Sequence, residues 1–153
     1  MKSKAVILIL LLAFVTGCTE RDNILKLSIY NRTDSQLRIV SGIHSELYKS
    51  ERTFEVSPGG IVVLAHKKFY VYSRTPINEI IKNDSDAFVR LYQKNGDEYS
   101  LMREWTFESR YDKERSIFNE LYLFVENHKT RDGFVENLIF TILPEDLEGG
   151  TEP

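Results

Sequence analysis

Apolar and polar residues alternate from the start of the chain's third decade. Leu25, Leu27 and Ile29 interleave with Lys26, Ser28 and Tyr30, the period-two pattern of a half-buried strand. Asn31 to Ser35 is rich in turn formers, and Leu37 and Ile39 then resume the alternation, which predicts a hairpin. Phe54 and Val56 open another strand, which stops at Ser57-Pro58-Gly59-Gly60. Proline fixes φ there and glycine supplies a positive φ, so a turn is expected. Ile61 to Leu64 is an unbroken apolar run, the signature of a strand buried on both faces, and Phe69 to Tyr72 reads as a further strand.

The period changes once. Thr75-Pro76 offers an N-cap followed by proline at the first helical position, Ile77, Ile80 and Ile81 share one helical face, and Asn83-Asp84 ends the segment. Phe88–Tyr92 and Tyr99–Met102 then flank Lys94-Asn95-Gly96-Asp97, a hairpin signature in which Asn-Gly suits the positive-φ positions. Residues 108–118 (ESRYDKERSIF) fit either a short helix or an exposed connection. Leu121–Val125 and Leu138–Leu143 bracket Thr130-Arg131-Asp132-Gly133 as a second hairpin, and both arms are apolar enough to be placed centrally in a sheet. The whole predicts a mainly β fold: an antiparallel β-sandwich, immunoglobulin- or transthyretin-like, with one short helix. It occupies residues 24–144 and is followed by a flexible acidic tail over 145–153.

The first eighteen residues follow a different rule. Lys2 and Lys4 precede eleven apolar residues (AVILILLLAFV, Ala5 to Val15), then Thr16, Gly17 and Cys18. An apolar run of this length suits a secretory leader and is short of the ~20 residues of a spanning helix. Val15-Thr16-Gly17-Cys18 resembles the lipobox of bacterial lipoproteins. That resemblance implies cleavage before Cys18, a signal peptide of residues 1–17, lipids on the Cys18 thiol, and a tether over 18–23. Two or more acyl chains make such attachment effectively permanent. Thr19, rather than Asp, follows the cysteine, which by the same resemblance favours the outer membrane over the inner membrane.

Composition narrows the chemistry. Net charge is −3, falling to −5 once Lys2 and Lys4 leave with the leader, so no electrostatic case exists for nucleic acid. Cys18 is the only cysteine, so the domain has no internal disulfide and no thiolate zinc site. His44, His66 and His128 lie outside ligand-type spacing, and neither a metal nor a cofactor is expected. There is no G-x-S-x-G, no GK[ST] and no marked carboxylate pair, so no catalytic residue is assigned and an enzyme is not expected. Arg110, Lys113 and Arg115 are interleaved with Glu108, Asp112 and Glu114, the pattern of a solvated face. Asn31-Arg32-Thr33 and Asn83-Asp84-Ser85 match the glycosylation sequon. Trp105, with Tyr99, Phe107 and Tyr111, has two readings: an aromatic ledge for a sugar or protein partner, or part of the core.

These features imply an anchored envelope protein acting as a non-enzymatic binding or assembly module, with a protein partner or ligand whose identity the residues do not name. The alternatives are an inhibitor or immunity-type lipoprotein, an anchored component of a secretion apparatus, and, behind these, an envelope hydrolase. Phe88-Val89-Arg90-Leu91-Tyr92-Gln93 resembles strands of small transthyretin-like lipoproteins of type VI secretion, but it sits mid-chain rather than near the mature N-terminus, and the family is not assigned.

Overall fold

A computed structural model describes residues 22–45, 49–69, 76–81, 84–112, 115–131 and 133–148. It contains β1 (Asp22–Asn31), β2 (Leu37–Ser41), β3 (Arg52–Val56), β4 (Ile61–Phe69), α1 (Pro76–Ile81), β5 (Phe88–Asn95), β6 (Glu98–Thr106), β7 (Leu123–Lys129) and β8 (Gly133–Ile142). Short 3-10 turns at Glu120–Tyr122 and Pro144–Leu147 flank the last two strands. The strands form two four-stranded sheets, ordered β4-β1-β8-β7 (sheet A) and β3-β2-β5-β6 (sheet B). All ladders are antiparallel except β1–β8, which is parallel. The architecture is mainly β, with two antiparallel-rich sheets arranged like a sandwich.

One core joins the sheets. Leu25, Leu27, Ile29, Leu138, Phe140 and Ile142 come from sheet A, and Leu37, Ile39, Val89, Leu91 and Trp105 from sheet B. Trp105 meets Phe140 edge-on at 5.3 Å between ring centroids, a direct contact across the two layers. Helix α1 forms where the proline and isoleucine spacing predicted it. Its Ile77, Ile80 and Ile81 are buried, and it packs on β1 and β4. The expected starts and stops at Thr75 and Asn83, and the strand residues 70–72, lie outside the described residues.

Several pairings differ from the sequence pattern. β1 and β2 do not form a hairpin, because the intervening turn carries the chain from sheet A to sheet B. Asn31 fixes that crossing. Its buried amide Nδ2 donates to the carbonyls of Ser35 (2.9 Å) and Val56 (3.1 Å), while Oδ1 accepts from the Thr33 N–H (3.0 Å) and hydroxyl (2.8 Å). The Asn31-Arg32-Thr33 sequon is thus a folding bracket. The β5–β6 hairpin turns on Gly96 at φ 63°, as Asn-Gly predicted. β7 and β8 do form a hairpin, but only β8 is central and β7 is an edge.

Residues 108–112 and 115–118 contain no helix, and Ser116 to Asn119 are buried rather than exposed. Within the expected tail, residues 145–148 are ordered against the domain, and 149–153 lie outside the described residues. Asp146 is buried, its carboxylate accepts from Arg115 Nε and Nη2 (both 3.2 Å) and from the Leu143 N–H (2.9 Å), and Leu147 packs on the core. Similarly, Asp22 and Asn23 belong to β1 and not to a tether.

Candidate binding surface

The two outer faces of the sandwich have opposite characters. On sheet B, charges are neutralised by their own neighbours. Arg38 Nε donates to Glu55 at 2.7 Å, its guanidinium lies 3.7 Å from the centre of the Tyr99 ring, and the Tyr99 hydroxyl donates to the other Glu55 oxygen at 2.5 Å. Burial works to raise the Glu55 carboxyl, but hydrogen bonds from Tyr99 and Arg38 outweigh it and hold the group below its ordinary value. The same bond to Glu55 raises the Tyr99 phenol. Arg90 pairs with Glu104 at 3.1 Å on the adjacent ladder. Such a face is complete as it stands.

Sheet A divides along its length. Side chains of β1 alternate, so Leu25, Leu27 and Ile29 point to the core while Ile24, Lys26, Ser28 and Tyr30 point outward. Near the start of β1 the outward rows are mainly polar: Lys68–Ile24–Val135–His128, then His66–Lys26–Asn137–Glu126. Beyond them the rows turn apolar: Val63–Ser28–Ile139–Phe124, then Ile61–Tyr30–Thr141. Ser28 is the small residue between Val63 and Ile139, and its hydroxyl donates to Asn137 Oδ1 at 2.6 Å, so the apolar rows flank a shallow trough. Ile61 is 57% exposed, Val63 37%, Phe124 66% and Leu121, just before β7, 86%. Exposed apolar side chains gathered on one face in this way are the kind of surface that marks an interaction site.

A bulge produces half of this patch. Leu27 faces Ala65 whereas Ser28 faces Val63, so Leu64 is an extra residue in β4. Leu64 and Ala65 both go to the core, and Val63 and Ile61 are turned to solvent. The run Ile61–Leu64 is therefore not buried on both faces in this chain.

The sheet edges differ as well. Arg52 Nη2 donates to the Leu64 carbonyl at 3.0 Å and ties the β3 edge to the β4 edge. Beside β6, Arg103 donates to the carbonyls of Asp146 (3.1 Å) and Glu145 (3.3 Å), and Trp105 Nε1 to the Arg115 carbonyl (2.8 Å), so that side is covered by residues 115–118 and the 144–147 turn. β7 has no such cover among the described residues. It pairs only with β8, and even its core-facing Val125 is 45% exposed.

The four aromatic residues of the expected ledge are not brought together. Met102 is the extra residue of a second bulge, since Leu91 faces Arg103 and Tyr92 faces Leu101. This puts Trp105 in the core and Tyr99 on the outer face of sheet B. Phe107 packs edge-on against Phe118 at 5.9 Å, and Tyr111 is exposed, with the Arg110 guanidinium 4.7 Å from its ring centre and 4.1 Å from that of Phe107. Of the basic residues there, Arg115 is held by Asp146. His44 pairs with Asp84 (3.0 Å) and His128 with Glu126 (3.3 Å), and among the described residues no three potential ligands converge on a metal position. Cys18 lies outside the described residues. The apolar rows of sheet A were visible in the sequence only as core.

No family model and no curated protein matches this chain. Among solved structures, it is similar to the dioxygenase domain of a dioxygenase–carbohydrate-binding protein fusion from the cellulolytic bacterium Streptomyces sp. SirexAA-E. The identity is 10%, 83% of each chain is covered, and the TM-score is 0.30, a likeness too distant to bear on activity.

Proposed function

We propose that this chain is a lipid-anchored protein of the bacterial envelope that binds a protein partner through the apolar end of sheet A. One observation carries the reading. Ile61–Leu64 and Leu121–Val125 are the two segments whose residues are those of a strand shielded on both sides, yet Ile61, Val63, Leu121 and Phe124 stand in solvent. A partner over these rows supplies the missing cover. The scaffold is then a sandwich of immunoglobulin- or transthyretin-like build, presenting a face rather than a catalytic cleft.

The leader supports the address: a positive start, eleven apolar residues and a Gly-Cys junction. Three residues separate Cys18 from Asp22, four steps with a reach of at most about 14 Å. The apolar rows begin six to eight residues into β1, roughly 20–26 Å further along the strand. Anchored at Cys18 with its strands upright, the domain holds its polar half near the bilayer and its apolar half away from it, where a partner on the outer membrane or across the periplasm meets it.

The test is capture from native envelopes with three forms: parent, Cys18→Ala, and Val63→Lys/Phe124→Glu. The parent is expected to lose residues 1–17, gain acyl chains and retain a stoichiometric protein. Cys18→Ala leaves the membrane fraction, and the double variant stays in the membrane but loses its partner. An exported enzyme or toxin as partner identifies an inhibitor, and a structural protein identifies an assembly role. Retention of the partner by the double variant overturns the surface, and an uncleaved parent overturns the anchor.

A further inference from the structure

We infer that β7 pairs with β7 of a second copy of this chain, antiparallel and centred on Asn127, so that two sheet A layers join into one eight-stranded sheet. The inference does not rest on the envelope address. It begins with the edges. Those of β3, β4 and β6 are tied or covered by Arg52, Arg103 and residues 115–118 and 144–147, whereas among the described residues nothing covers the outer side of the β7 backbone. Natural edges are blunted by proline, bulges or repelling charges. β7 has no proline and pairs with β8 without a bulge, so its outer side is straight and fit to receive another strand.

The charges on β7 select the occupant. Its outward residues are Phe124, Glu126 and His128, and within one copy Glu126 and His128 lie 3.3 Å apart. In an antiparallel pair about a two-fold axis, directly opposed residues share a face. Centring on Asn127 sets Glu126 opposite the second copy's His128, and His128 opposite its Glu126. Two cross-strand acid–imidazole pairs form at once, each of a type that contributes to sheet pairing. Centring one residue earlier would oppose Glu126 to itself, a like-charge clash, and centring on Val125 would face Glu126 with Phe124. On the inner face the chosen register aligns Glu136–Asn127 of one copy with the same pair of the other, keeping polar against polar. Val125 meets Lys129, whose aliphatic stem covers an exposed valine. A strand of unrelated sequence would have to bring the complementary acid and base at the same spacing; β7 already carries both.

A cysteine scan of the full chain tests both pairing and register. A residue on the two-fold axis meets its own copy at the Cα separation a disulfide needs, about 4.5–5.5 Å. Single Cys substitutions at Val125, Glu126, Asn127 and His128, and at Asp97 as a remote control, are oxidised in whole cells, so that the readout is the same wherever the chain resides. Each is scored by non-reducing electrophoresis against the parent, which accounts for Cys18. Asn127→Cys is expected to give at least about tenfold more dimer than Asp97→Cys and more than any neighbour. A yield at Asn127 equal to the control overturns the pairing, and a maximum at Val125 or Glu126 overturns the register. As a cysteine-free check, sedimentation equilibrium of the detergent-solubilised parent should show a dimer that Glu126→Lys weakens about tenfold without loss of urea stability. The exchanged double variant Glu126→His/His128→Glu should restore it. Failure of the exchange to restore the dimer overturns the charge pairing.

Discussion

Single side chains in this protein carry structural duties that their types do not announce. Trp105 fills the space between the sheets against Phe140 and donates to the Arg115 carbonyl, which secures the connection leading to β7. Trp105→Ala is expected to cost about 3–5 kcal/mol, and Trp105→Phe, which keeps the ring but orphans that carbonyl, about 1–2 kcal/mol. Urea unfolding followed by far-UV dichroism measures both. Glu136 is a second case. It points inward from β8 between Leu25 and Asn127, it is 7% exposed, and burial raises its carboxyl above the ordinary 4.5. A raised folded value means that the folded state holds the proton more tightly than the unfolded chain. The contribution of the neutral acid is therefore complete below about pH 4.5 and is lost as pH climbs through the raised value. Glu136→Gln should raise the melting temperature at pH 7 to 8 and leave it unchanged near pH 4, and equal shifts at both pH values would refute the assignment.

Elements were legible where their signals were local. Pro76 with Ile77, Ile80 and Ile81 gave α1, and Asn95-Gly96 and the residues before Gly133 gave two hairpins, because each signal and its consequence lie within a few residues. What lay beyond local reading was pairing across distance. The parallel ladder joins Asp22–Asn31 to Gly133–Ile142, more than a hundred residues away, and no residue of β1 encodes that choice. The bulges at Leu64 and Met102 were equally hidden, since one extra residue reverses which side chains face inward without altering composition. The candidate surface was misread for a physical reason: an apolar face awaiting a partner and an apolar face awaiting the core are the same residues. Asp146 was misread too, because beside the exposed Glu145 it looks like a solvent charge until Arg115 is placed against it. Asp146→Ala is expected to cost about 2–3 kcal/mol, leaving the half-buried Arg115 guanidinium with only its bond to the Thr141 carbonyl and the Leu143 N–H without an acceptor. Hydrogen exchange should then show faster opening of residues 143–148 than of β2 and β5.

At the scale of the whole molecule, function is divided by direction. One broad face carries the Arg38–Glu55 and Arg90–Glu104 pairs, the opposite one is apolar over half its length, and among the described residues the β7 edge is uncovered. With both proposals in force, two copies joined through β7 present their apolar rows on the same side of a single sheet, so a partner meets two equivalent sites and binds with the avidity of a bivalent contact.

The position of β1 has a mechanical corollary. The first described strand lies in the middle of sheet A, held by β4 on one flank and β8 on the other. Because β1 and β8 run parallel, a force drawing Asp22 one way and the end of β8 the other acts along the strands, and every bond of the ladder must yield together. A tug across β7 instead opens its single ladder bond by bond. Tension entering through Asp22 therefore meets a joint loaded in shear, while tension applied across the β7 edge reaches the joint that gives first.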